Sequence, residues 1–202
     1  MIVLIDYGAG NLHSVHKAIE ANGGQVHLGS TPQHILEADK VILPGVGAFG
    51  DGIKGLEQRQ LIPAIHEFAA SGRPLLGICL GMQLLLDSSE EMGQHQGLGL
   101  IPGKVVPFTQ PGIKVPQIGW NQIDIQRGSP LLANLQNGCY AYFNHSYYCQ
   151  VVEPEHVLAL TDYGSLFASI IQKGNIYGVQ FHPEKSQEVG MRILRNFVEM
   201  EA

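Results

Sequence analysis

Through the first half of the chain, short apolar stretches alternate with helical patterns, as in a parallel sheet whose strands are buried on both faces and joined by helices. Ile2 to Ile5, Val26 to Leu28, Val41 to Leu43 and Leu75 to Ile78 are too short for helices and read as buried strands. Between the first two, Leu12, Val15, Ala18 and Ile19 share one helical face, and the pattern stops near Gly23 and Gly24. Before the fourth strand, Leu61, Ile65, Phe68 and Ala69 recur at i, i+4, i+7 and i+8 and end at Ser71 and Gly72. The spacing predicts successive β-α-β units.

After about residue 100 the pattern turns strand-like, at Val105 to Phe108, Tyr140 to Phe143, Val157 to Leu160, Leu166 to Ile171 and Ile176 to Phe181. Gly174-Asn175 is a hairpin signal between the last two. A closing helix carries Val189, Ile193 and Phe197 on one face, beside Leu194 and Val198. The expected fold class is α/β: a three-layer α/β/α arrangement with a central mixed, mostly parallel sheet. With no internal repeat, linker or charge run, 1–202 is expected to be a single domain.

Composition narrows the function. Of 202 residues, 45% are hydrophobic and 15% charged, which excludes a disordered chain. The net charge of −6 argues against nucleic-acid and anionic-membrane partners, which require a basic face. No stretch approaches the ~18 apolar residues of a membrane span, and Met1 to Asp6 is no signal peptide, so a cytoplasmic protein is expected. Cys79, Cys139 and Cys149 are odd in number and lack Cys-x-x-Cys spacing, so at least one thiol is free.

Chemistry concentrates in three segments. Gly77-Ile78-Cys79-Leu80-Gly81 runs from a buried strand into a tight turn and helix, the nucleophile elbow with cysteine in the serine position. In Phe181-His182-Pro183-Glu184 the proline extends His182, so His182 and Glu184 project to the same side and the carboxylate can orient the imidazole. Leu43-Pro44-Gly45-Val46-Gly47-Ala48-Phe49-Gly50 reads as a glycine-dense loop directly after a buried strand, where backbone N–H groups of Val46 and Gly47 could join that of Leu80 around an oxyanion. Gly8-Ala9-Gly10 lacks the third glycine and the acidic partner of a dinucleotide site, and His13 and His16 suggest no third metal ligand, so neither cofactor nor metal is expected. On residues alone, another cysteine hydrolase, or a binding subunit with Cys79 as core, stays open.

Gly77 to Gln83 and Gly178 to Glu184 resemble the nucleophile and His-x-Glu motifs of the class I (triad) glutamine amidotransferases. Within that family, Asp6 to Leu12, Pro44 to Gly47, Gly119-Trp120-Asn121, His145-Ser146-Tyr147 and His182 to Ser186 look like the glutaminase subunits of imidazole glycerol phosphate synthases. Gln117 and Asn144 depart from that likeness, standing where a histidine and a small apolar residue are expected. The resemblance implies hydrolysis of L-glutamine to glutamate and ammonia by Cys79, His182 and Glu184. It implies glutamine binding by Gln83, Ser146 and Tyr147, and a heterodimer with a cyclase subunit that takes the ammonia. That cyclase makes imidazole glycerol phosphate and an aminoimidazole carboxamide ribonucleotide in histidine biosynthesis. The face with Asn11, Trp120 and Lys185 is expected to dock on it.

Overall fold

The structure, a computed structural model, describes residues 1–201. Position 202, the end of the expected domain, lies outside the described residues.

The first half forms β1 (Ile2–Ile5), α1 (Leu12–Ala21), β2 (Val26–Gly29), α2 (Pro32–Leu36), β3 (Lys40–Leu43), α3 (Phe49–Gln58), α4 (Ile62–Ala70), β4 (Leu75–Ile78) and α5 (Leu80–Leu84). Thereafter come β5 (Ser88–Ser89), β6 (His95–Gln96), β7 (Gly103–Pro107), β8 (Gln117–Ile125), β9 (Cys139–His145), β10 (Tyr147–Val151), β11 (Val157–Asp162), β12 (Leu166–Lys173), β13 (Ile176–Val179) and α6 (Gln187–Glu199). The nine-stranded sheet has the order β2-β1-β3-β4-β13-β12-β11-β8-β9. Pairing is parallel from β2 to β13 and antiparallel from there to β9.

Strands β1, β3 and β4 are buried throughout, so alternate residues feed cores on both faces. Leu4, Ile42 and Leu76 pack with Val15 and Ile19 of α1 and Ile193 and Phe197 of α6. Val3, Val41 and Leu75 pack on the other side with Ile35 of α2, Leu56 of α3, and Ile65 and Phe68 of α4. These are the three expected layers.

The structure adds to the sequence reading. Strands β8 and β10 were not expected, nor was a second sheet of order β10-β7-β5-β6. The glycine-dense segment after β3 read as a loop through Gly50, yet α3 begins at Phe49. Its glycines are close-approach positions: a Cβ on Gly55 would stand 2.6 Å from the Tyr7 carbonyl oxygen, and one on Gly52 3.2 Å from Leu80 and Leu84 side-chain carbons. Gly8 and Gly10 have positive φ and abut Arg59 and Pro44, so this turn packs against the loop after β3.

Candidate active site

In an open α/β sheet, ligands bind beyond the carboxyl ends of the parallel strands. Here the ends of β3, β4 and β13 deliver Val46 and Gly47, Cys79, and His182 respectively. Cys79 adopts φ 54°, ψ −110°, strained backbone for a residue with a side chain, between β4 and α5. The turn exists because its flanks are glycines. A Cβ on Gly81 would lie 1.8 Å from the Leu43 carbonyl oxygen, and one on Gly77 would lie 2.7 Å from Gly81 backbone atoms. The elbow is tied to the neighbouring strand by the Cys79 N–H, which donates to the Val179 carbonyl at 2.8 Å.

His182 leaves β13 in extended geometry, φ −95° and ψ 97°. Its N–H donates to the Tyr142 carbonyl of β9 at 2.9 Å, and its carbonyl accepts from Ser186 Oγ at 2.6 Å. The imidazole Nδ1 lies 3.0 Å from Glu184 Oε1, with both side chains almost wholly buried. Burial alone would lower the His182 pKa. Hydrogen bonds to Cys79 and Glu184, with their negative charge, outweigh it and raise the pKa to about 10. The arrangement therefore favours the imidazolium form of His182, set between the Cys79 sulfur and Glu184.

Around these residues lies a cavity of about 250 Å³, lined by Val46, Gly47, Cys79, Leu80, Gln83, Ser146, Tyr147 and His182, all singled out in the sequence. Glu184 stands behind His182. The Leu80 N–H is in the first turn of α5, where a backbone donor has no partner within the helix. Ser146 and Tyr147 arrive from the β9–β10 junction, and Gln83 Nε2 donates to the Tyr147 carbonyl at 3.0 Å. A larger cavity of about 630 Å³ beside α1 and α6, lined among others by Cys139, Arg192 and Arg195, contains none of these residues. Size alone does not pick the site.

Glu91, Pro116, Asn144 and His145 also line the smaller cavity, beside Cys79 and His182. Glu91 comes from the segment after β5, and its Oε2 accepts from the Phe49 N–H at the start of α3, at 2.6 Å. No local motif marks it; a carboxylate at this wall is legible only once the small sheet is folded. His145 is buried among Phe108, Phe143 and Phe167, with Nδ1 2.7 Å from the Tyr147 carbonyl. Burial, more than the nearby His182 charge, lowers its pKa to about 4, against the pull of that carbonyl. Of the two departures, Asn144 lies on the cavity wall, while Gln117 pairs with His145 across β8 and β9 and is buried.

An elbow cysteine after β4, with an oriented histidine and its partner carboxylate after the adjacent β13, in a three-layer fold, define a class of protein. The family "Glutamine amidotransferase class-I" matches residues 3–200, and the chain belongs to it. The chain is 49% identical to the imidazole glycerol phosphate synthase subunit HisH of Chlorobaculum tepidum over 200 residues, 98% of this chain and 100% of that one. It is 51% identical to the subunit of that name from Moorella thermoacetica, over 98% of this chain and 94% of that one. Among solved structures, a glutamine amidotransferase superposes with a TM-score of 0.77 at 16% identity, covering 98% of both chains. PurLQS from Thermotoga maritima gives 0.77 at 17% identity, over 97% of this chain and 96% of that one. At such identities these two show the fold.

Among the described residues, no helix is long and apolar enough to cross a membrane.

Proposed function

We propose that the chain is one glutaminase domain that hydrolyses L-glutamine to L-glutamate and ammonia and passes the ammonia to a cyclase subunit, acting in histidine biosynthesis in the cytoplasm. The observation that supports this most is the buried line from Cys79 through His182 to Glu184, opening on a cavity smaller than the ~300–1,000 Å³ of drug-sized pockets. Such a cavity suits one free amino acid.

In this reading the Cys79 thiolate attacks the side-chain amide carbon, and the oxyanion forms against the Leu80 N–H and the Val46–Gly47 loop. His182 gives its proton to the leaving nitrogen, ammonia departs, and a thioester remains. Water, deprotonated by His182, then attacks the thioester and releases glutamate. Glu184 holds the His182 Nδ1 proton throughout. Ser146, Tyr147 and Gln83 frame the glutamine head. Glu91, the carboxylate on this wall, is suited to its α-ammonium group.

Ammonia explains the partner. With a pKa near that of lysine, ~10.4, it is overwhelmingly ammonium in neutral water and no nucleophile. It must travel neutral through an enclosed path. Ile118, Trp120 and Tyr140 are exposed on the outer side of β8 and β9, and Trp120 packs edge-on against Tyr142 with ring centroids 6.2 Å apart. Lys185 Nζ lies 6.0 Å from the Tyr142 ring centroid. The turn Pro183–Lys185 packs against both β9 and α1, at whose N-terminus Asn11 sits, so Asn11, Trp120 and Lys185 share one face. That face supports docking of the cyclase.

Glutamate release with and without the cyclase, for the native chain and Cys79→Ala, tests the reading. The variant must lose glutamine hydrolysis while its complex still makes product from added ammonium salts. Native-like glutamate release by Cys79→Ala would refute it.

A further inference from the structure

One side chain beside the sulfur has no part in that mechanism. The register pairing Ile78 with Val179 sets the next residues, Cys79 and Gln180, next to each other, and Gln180 is completely buried. Gln180 Nε2 donates toward Cys79 Sγ at 3.9 Å, and its Oε1 accepts from Gln83 Nε2 at 3.1 Å. The second proton on Gln83 Nε2 goes to the Tyr147 carbonyl at 3.0 Å, which also accepts from His145 Nδ1 at 2.7 Å.

These contacts are consistent in one direction only. A carbonyl oxygen offers lone pairs and nothing else, so Gln83 and His145 must both donate to Tyr147. His145 accordingly carries its proton on Nδ1, and its Nε2 is buried without a partner, as an unprotonated nitrogen can be. With Gln83 presenting its NH₂ group, Gln180 must answer with its carbonyl. Reversing Gln180 would set two NH₂ groups against each other and turn a carbonyl oxygen toward the sulfur. The chain thus ends on an N–H aimed at Sγ, and Gln83, its donors spent, has only Oε1 left for a ligand.

We infer that Gln180 is a catalytic residue that stabilises the Cys79 thiolate through its amide N–H, its direction fixed by Gln83, the Tyr147 carbonyl and His145. The inference rests on the reading of Cys79 as nucleophile. The sulfur's proton still goes to His182; Gln180 makes no bond and breaks none, but raises the fraction of sulfur ready to attack.

The test is the pH dependence of Cys79 alkylation by iodoacetamide, followed by mass spectrometry of the Cys79 peptide, in the native chain, Gln180→Met and Gln83→Met. A hydrogen bond to an ionised group carries enough free energy to move the midpoint of Gln180→Met up by about one pH unit, with ~10-fold less thiolate below it. Gln83→Met should shift it the same way by less, since Gln180 keeps its donor but is no longer held in one orientation. An unchanged midpoint in folded Gln180→Met, checked by thermal melting, overturns the inference. Should that variant not fold, an unchanged midpoint in Gln83→Met overturns it. Alkylation uses no glutamine, so its failure leaves the glutaminase reading intact, and absent glutamate release leaves the titration readable.

Discussion

Replacing Glu184 by glutamine separates two ways a carboxylate can serve a histidine. In one, its charge stabilises imidazolium; in the other, its acceptor atoms select the tautomer. In the serine-protease triad the corresponding Asp→Asn change costs ~10⁴-fold in kcat because the neutral imidazole is held in the wrong tautomer. Here the His182 pKa is raised to about 10, with Cys79 and Glu184 outweighing burial, so Nδ1 and Nε2 both carry protons at rest. A doubly protonated ring has no tautomer to lose. Its Nδ1–H, 3.0 Å from Glu184 Oε1, demands an acceptor, and that demand orients the new amide with its oxygen inward. The NH₂ group then occupies the place of Glu184 Oε2, which is buried without a partner. What is lost is the charge-assisted part of one hydrogen bond: ~1.5–3 kcal/mol with charge against ~0.5–1.5 without, a difference of ~1.4 kcal/mol. That is about tenfold in kcat and about one unit off the His182 pKa. The assay is steady-state glutamate release by the complex across pH, with His182→Ala alongside. Expected is a ~10-fold loss for Glu184→Gln and a far larger one for His182→Ala. A loss of ~10³-fold or more in Glu184→Gln would show that the resting histidine is neutral and refute the reasoning.

Gly81→Ala forces a methyl group against the Leu43 carbonyl, 1.8 Å from its oxygen, at an overpacking cost of about 3 kcal/mol, so melting should fall by roughly 6–12 °C; an unchanged Tm would contradict the close approach. Glu91→Gln should cost ~10-fold or more in kcat/KM, mostly through KM, by removing one charged contact to the α-ammonium group; equal KM values would reject that contact. His145 titrates near pH 4 when folded and ~6.5 when unfolded, so its stabilisation is present above pH 6.5 and lost as pH falls toward 4. Denaturant titrations should lose about 3 kcal/mol over that window and His145→Gln should flatten it, whereas identical slopes would place the titration elsewhere. Trp120→Ala should weaken cyclase binding ~30-fold by calorimetry without moving Tm, and unaltered affinity would shift the docking face.

Much of this was legible because local pattern and tertiary role agree. Ile2 to Ile5 and Leu75 to Ile78 are buried on both sides and read as continuous apolar runs, and Cys79 lies where the second of them stops. Strand β8 was illegible because its pattern is inverted: Gln117 is buried while Ile118 and Trp120 face outward. Helix α3 holds glycines at 50, 52 and 55, which in sequence look like loop and in space let it approach Tyr7, Leu80 and His95. Glu91 reaches the site through a sheet whose two-residue strands β5 and β6 carry almost no signal.

The positive φ of Cys79 puts chemistry and folding in opposition at one residue. A non-glycine residue in so sparsely populated a conformation costs of order 1–3 kcal/mol, which glycine would largely recover. Selection for stability alone would therefore drive this position toward Cys79→Gly, giving a sturdier protein with no nucleophile. The surrounding cores must hold that margin in reserve, so mutations far from the site, in β1 or α4, can end activity by exhausting the stability that keeps one backbone turn bent.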